Sequence, residues 1–185
     1  MPTLEEVRAQ INNLPPELRY VFYTKREIAC LPDLMVDGEY IRAAVSGYVG
    51  KKTVLVACTN KRLLFINKGM ILGMNQWQIS LDRIQSMDGS YIILFGNIKV
   101  WDGAAATLVT MVLASRIDPF IKEVRRAIDD YKHLTYQEAA AVASAHVRPQ
   151  AVDVASQIER LVQLMNAGHI TQEEFQAQKA RILNG

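Results

Sequence analysis

The sequence predicts an α+β protein. Helices come first, then a bent antiparallel sheet or barrel of about seven strands capped by one helix, then a C-terminal helical hairpin. Apolar residues recur at helical spacing near the N-terminus, over 118–131 and over 158–183. Between 39 and 113 the pattern changes to short β-branched and aromatic runs divided by polar or glycine-containing turns. Pro32, Asp37 and Gly38 mark the first change of period, and Asp118-Pro119 the second.

Thr3 and Glu6 are spaced as a capping box for a first helix, with Leu4, Val7, Ile11 and Leu14 on one face. Pro15 and Pro16 stop it, and Pro16 is suited to open the next. Leu18, Val21, Phe22 and Ile28 predict a second amphipathic helix ending near Cys30. Strands are then expected at 40–48, 53–59, 62–67, 76–81, 84–87, 91–95, 97–101 and 107–113. Their turns are expected at Asn60-Lys61, Asp88-Gly89, Gly96 and Asp102-Gly103. Asp118 is a natural N-cap and Pro119 a natural first helical residue, with Phe120, Ile121, Val124, Ile128 and Tyr131 as the stripe that closes the sheet. Residues 134–153 are alanine-rich, lack a strong apolar stripe and contain Pro149, so they read as a linker in which the tract 136–145 is at most transiently helical. The hairpin follows. Ile158, Leu161, Val162 and Met165 line its first helix, and Gly168 ends it. Thr171 and Glu174 box the second helix, Ile170 and Phe175 staple it, and Ile182 and Leu183 complete the opposing face. The organisation expected is 1–36 as a helical extension, 37–133 as the sheet domain, 134–153 as linker and 154–185 as the hairpin.

Composition narrows the function. Half the residues are hydrophobic, 22% are charged, and 21 basic residues against 19 acidic ones leave a net charge of +2. That balance gives no bulk attraction for nucleic acid. Glu5, Glu6 and Arg8 interrupt the N-terminal region, and no apolar run approaches the ~20 residues needed to cross a bilayer. A soluble, cytoplasmic protein is expected. Cys30 and Cys58 have apolar neighbours and no metal-ligand spacing, as buried thiols in a reducing compartment do. His133, His146 and His169 lie far apart, and no phosphate loop, nucleophile elbow or zinc-protease motif occurs. The chain is therefore expected to be no enzyme and to need no metal or cofactor.

Three sets of residues stand out as contacts. Lys51, Lys52, Lys61, Arg62 and Lys68 sit on two strand connections, where they either attract an anion or partner or simply keep sheet ends solvated. Met70, Ile71 and Leu72 occupy a connection that would ordinarily be polar, either as an apolar contact tip or as buried continuations of the strands. The apolar faces of the hairpin are too small to shelter themselves, which points to self-association.

The segment VLVACTNKRLLFINKG, 54–69, resembles the bacterial pleckstrin-homology-like domains, particularly the YokE-like group, in its strand, Thr-Asn-x-Arg turn and strand ending in a basic residue and glycine. LPDLMVDGEYI at 31–41, QISLDRIQSM at 78–87 and the helix at 118–132 are similar to other parts of that family, so the resemblance covers roughly 30–132. IERLVQLMNAGHITQEEFQAQKARIL, 158–183, resembles the SHOCT (short C-terminal) domain. The two resemblances imply a non-catalytic binding and assembly protein. The first domain would present a partner-binding surface, and the tail would drive homo-oligomerisation or contact a protein partner. Peripheral binding to anionic membrane lipid, or to nucleic acid, is the alternative.

Overall fold

The computed structural model describes residues 1–69, 73–146 and 154–184. The chain divides into two compact units, Met1–Tyr136 and Gln137–Gly185.

In the first unit, α1 (Leu4–Asn13) begins at the expected capping box. Thr3 Oγ1 accepts the Glu6 N–H at 3.2 Å, and the Glu6 carboxylate accepts the Thr3 N–H at 2.7 Å. The helix expected over Leu18–Ile28 is replaced by three pieces. A 3-10 turn at Pro16–Leu18 leads into a two-residue strand, β1 (Arg19–Tyr20), and then α2 (Lys25–Leu34). Leu18, Val21 and Phe22 sit at helical spacing, but β1 pairs in parallel with Ala44 and Val45, and that pairing wins over the local pattern. The helix α2 runs past Cys30 with Pro32 inside its last turn.

The α+β sheet architecture is present. Seven further strands follow: β2 (Ile41–Val49), β3 (Lys52–Thr59), β4 (Arg62–Lys68), β5 (Met74–Ser80), β6 (Ser86–Ile92), β7 (Phe95–Trp101) and β8 (Ala106–Leu113). Their order is β5-β4-β3-β2-β8-β7-β6, antiparallel throughout. The sheet bends where β2 meets β8 through the single pair Tyr48–Thr110, and it is not closed, since β5 and β6 are its edges.

The expected strand 84–87 is extended into β6, the expected strand 91–95 is divided between the end of β6, a turn at Ile93-Leu94 and the start of β7, and two expected turns vanish. Gly89 lies inside β6 because a Cβ there would come within 2.6 Å of Ile117 Cγ2. Gly96 lies inside β7 because a Cβ would come within 2.1 Å of the Ser90 carbonyl oxygen. Both glycines serve close packing rather than chain reversal.

Strands β2, β3 and β4 are buried on both faces, which explains their nearly unbroken apolar runs. On the concave side Val45, Val56, Phe65, Ile98 and Val100 pack with Ile117, Phe120 and Val124. On the outer side Ala44, Leu55, Ala57, Leu64 and Ile66 are covered by Val7, Ile11, Leu31 and Met35 of the N-terminal helices. The closing helix, α3 (Ala114–His146), starts directly after β8, four residues before the expected cap, and this early turn places Ile117 in the core. It also continues well past residue 132, through the first part of the segment expected to be a linker.

The second unit contains α4 (Val154–Asn166) and α5 (Gln172–Asn184). Gly168 adopts φ +76°, and its N–H and that of His169 donate to the Met165 and Leu164 carbonyls, closing α4 with a Schellman motif. Thr171 and Glu174 form the expected box: the Glu174 carboxylate accepts the Thr171 N–H at 2.8 Å, and Thr171 Oγ1 accepts the Glu174 N–H at 3.3 Å. Those contacts hold the Glu174 carboxyl below its usual range, the Thr171 N–H contributing most.

Candidate binding surfaces

The five basic residues singled out in the sequence separate into two groups. Strands β3 and β4 are antiparallel, so Lys51, Lys52 and Lys68 lie at one end of the pair, and Lys61 and Arg62 at the other.

Arg62 is a structural residue. Its guanidinium grips Glu39 with two bonds, Nε to Oε1 at 2.9 Å and Nη2 to Oε2 at 2.7 Å. It also donates to the Leu34 carbonyl at 2.8 Å and to Gln78. The Thr59 hydroxyl donates to Glu39 at 2.7 Å and accepts the N–H groups of Lys61 and Arg62. Asn60 accepts the Tyr40 N–H and donates to the Gly38 carbonyl, while Lys61 Nζ donates to the Asp37 carbonyl. The Thr-Asn-x-Arg turn thus fastens residues 37–40 to the sheet. Burial raises the Glu39 pKa, but Arg62, the Val36 N–H and Thr59 outweigh it and hold the carboxyl below its usual value. A comparable clamp ties β2 to α3, where Arg42 donates to Glu123 at 2.8 Å and to Asp130 at 2.6 Å.

The other group faces a cleft. Lys51, Lys52 and Lys68 line it together with Lys25 and Arg26 from the start of α2 and the aromatic rings of Phe22 and Tyr23. The sequence reading missed this α2 contribution, because the segment was read as the middle of a helix. Glu27 is the single carboxylate of the lining; it is buried and accepts the Lys68 N–H at 2.9 Å. Among the described residues, Lys51, Lys52 and Lys68 make no ion pair. The cleft is therefore cationic and apolar at once, an arrangement that can hold an anionic group beside a hydrophobic one. The apolar connection Met70, Ile71 and Leu72 lies outside the described residues.

The tail hairpin offers a second surface. Phe175 is buried, with Lys179 Nζ 5.9 Å from the centre of its ring. Ile158, Leu161, Val162, Met165, Ile170 and Ile182 are only half-buried, and Leu183 is exposed, as is Leu164. The hairpin's apolar residues thus retain uncovered area.

Among the described residues no cluster of three or more His, Cys, Asp or Glu side chains could hold a metal ion. No described helix is long and apolar enough to cross a membrane. Cys58 is buried, which pushes its thiol up to about 12 and leaves it unreactive.

Residues 35–126 match the family model for a bacterial PH domain, and residues 156–183 match that for the short C-terminal domain. Among solved structures, the chain is similar to a pleckstrin homology domain from Shewanella amazonensis SB2B, with 17% identity over 56% of this chain and 96% of that one and a TM-score of 0.42. It is also similar to a DUF1696 family protein with a pleckstrin-homology domain from Shewanella loihica PV-4, with 20% identity over 55% and 88% of the two chains and a TM-score of 0.36. No curated protein matches.

Proposed function

We propose that this chain, which carries a bacterial PH domain at 35–126 and a SHOCT domain at 156–183, is a non-catalytic adaptor whose tail self-associates and thereby multiplies the binding surface of its sheet domain. Both modules are of kinds that bind rather than catalyse. The observation that carries the reading is the half-buried apolar face of the α4–α5 hairpin. Two helices of 13 residues each have too little apolar surface to form a core of their own. Sister copies supply the cover, and the linked weak sites gain avidity wherever their geometry allows joint engagement. The two free cysteines accord with work in the reducing cytoplasm.

A second reading, peripheral binding to an anionic surface, is favoured by Lys51, Lys52 and Lys68 around one cleft. A nucleic-acid role finds less support. Two of the three α3 arginines have partners: Arg125 donates to the Met87 carbonyl and Arg126 pairs with Glu123 at 3.5 Å. Light scattering of the full chain beside a version ending at Pro149 tests the main reading. The full chain is expected to have a multiple of the truncated protein's mass. Equal subunit numbers would overturn self-association through the tail.

A further inference from the structure

We infer that β5 is the docking edge for an extended, acidic segment of a partner protein, which joins the sheet as a further antiparallel strand. The inference rests on the adaptor reading, since it names the partner chemistry of the sheet unit, but it does not require the tail to self-associate.

The hydrogen bonds at the two ends of β5 fix which of its residues face outward. The Gly69 N–H donates to the Gly73 carbonyl, and the Leu81 N–H donates to the Lys61 carbonyl. Both bonds continue the register that pairs Lys68 with Met74 and Arg62 with Ser80. Bonded and non-bonded pairs alternate along an antiparallel ladder. Asn75, Trp77 and Ile79 therefore bond to β4, while Met74, Gln76 and Gln78 turn their N–H and C=O groups away from the sheet. These three residues are exposed, and among the described residues their outward backbone groups meet no partner.

The edge lacks the usual protection. Its sequence, MNQWQIS, has no charge and no proline, and no bulge interrupts its pairing with β4. The other edge, β6, carries Asp88 in its middle, and Ile117 and Ile121 of α3 lie close over its Gly89.

A depression lies on each face of β5. On the concave face Trp77, stacked on Phe65 with ring centres 5.0 Å apart, borders a hollow with Val49 and Val54. On the outer face Gln76 and Gln78 border one with Leu34 and Leu64. Side chains of an added strand point alternately to the two faces, so each hollow takes every second residue.

Charge sets the chemistry and the direction. At the Met74 end, Lys52 lines the concave hollow, and Lys51 and Lys68 line the adjoining cleft. The carboxylate there, Glu27, is buried, whereas Asp33 lines the outer hollow beside Gln78. Acidic residues of the ligand therefore belong at the Met74 end. A strand antiparallel to β5 reaches that end with its C-terminal part. The pattern recognised is an apolar residue against Trp77, followed two positions later by Asp or Glu. The β5 strand of a second copy has no carboxylate of its own for these lysines.

The probe is the dye-labelled peptide Ser-Thr-Val-Thr-Ile-Thr-Glu-Ser-Glu, whose valine, isoleucine and glutamates share one face when extended. Fluorescence anisotropy with the full chain should show binding at least tenfold tighter than for a version with lysine at both glutamates, or one with proline at the two interior threonines. On adding the peptide, amide exchange at Met74, Gln76 and Gln78 should slow at least tenfold. Gln76→Pro removes an outward N–H that β4 does not use, so the chain should keep its melting temperature and lose at least nine-tenths of the binding. Lys51→Glu/Lys52→Glu, at exposed positions, should reverse the preference between the glutamate and lysine peptides, whether or not the proline variant folds. Absence of binding, equal binding of the proline peptide, unchanged exchange at the three amides, or full binding by a folded Gln76→Pro chain would each overturn the inference. So would a Gln76→Pro chain that binds peptide normally but has a lower subunit number in light scattering, which would assign the edge to a second copy. Anisotropy reads each site singly, so loss of tail association leaves this result intact.

Discussion

At the scale of single residues, the turn at Thr59–Arg62 shows how a motif can be visible in sequence while its work is not. Five charged or polar side chains at strand connections look alike on paper. Only pairing places Arg62 against the buried Glu39, and Lys51 and Lys52 at the opposite end of β3. Removing one partner of a buried ion pair leaves the other charged and unsolvated, at a cost of about 3–5 kcal/mol. Arg62→Leu should therefore destabilise the chain by about 3 kcal/mol or more, read from the urea midpoint. The pH dependence follows from the direction of the Glu39 shift. The folded-state pKa is depressed, so the stabilising contribution is fully present above the unfolded value of about 4.3 and is lost as the pH falls through the folded value. Glu39→Gln should accordingly be less stable than the parent at pH 7, and the gap should narrow steadily below about pH 4. A gap that does not change with pH would mean that the carboxylate is neutral in the folded chain. The glycines carry a similar lesson. Gly89 and Gly96 look like turns, and nothing in the one-dimensional pattern announces that Ile117 and the Ser90 carbonyl occupy the space of a side chain.

At the scale of elements, legibility followed burial. The runs at 54–58 and 63–66 were readable as strands because both faces of β3 and β4 are covered and every position had to be apolar. The capping boxes at Thr3 and Thr171 were readable because they are local chemistry, complete within four residues. Leu18 to Phe22 failed because their partner, β2, lies more than twenty residues away. The end of α3 was half legible: alanine favours helix over 136–145, but without a strong apolar stripe the tract did not read as a continuation of α3. The basic half of the candidate site was partly legible in Lys51, Lys52 and Lys68. The turn at Ile93-Leu94 was not, since Ile92-Ile93-Leu94 reads as the middle of a strand until the register of β6 on β7 puts it at a turn. The N-terminal helices were expected as an extension, yet they supply the outer core of β2–β4. Leu31, fully buried on that face, tests their importance. Leu31→Ala should cost about 3 kcal/mol through lost transfer and the cavity left behind. Exposed Val36, at the end of the same segment, should tolerate alanine within about 0.5 kcal/mol. Equal effects in denaturant titrations would mean that α2 merely leans on the sheet.

At the scale of the whole molecule, stability is distributed unequally between the two units. Both clusters of buried apolar residues lie in Met1–Tyr136, on opposite faces of one sheet, so their loss should be concerted. The hairpin has a Schellman motif, a capping box and one buried phenylalanine, features that fix local geometry but bury little area. A chain ending at residue 146 should therefore melt within a few degrees of the full protein, since it retains both clusters. A peptide of residues 147–185 should behave differently. Helices of this length are marginal in water, so its helicity must be supplied by association. Circular dichroism of the peptide should deepen as concentration rises, and sedimentation should show mass increasing over the same range. Full helicity in a dilute monomer would show that the hairpin is self-sufficient, and self-association would then lose its physical motive. Helicity that appears only on mixing with the 1–146 chain would place the cover on the sheet unit instead. The three outcomes are separable in one titration series, because the first depends on peptide concentration, the second on neither component, and the third on the concentration of the larger fragment alone.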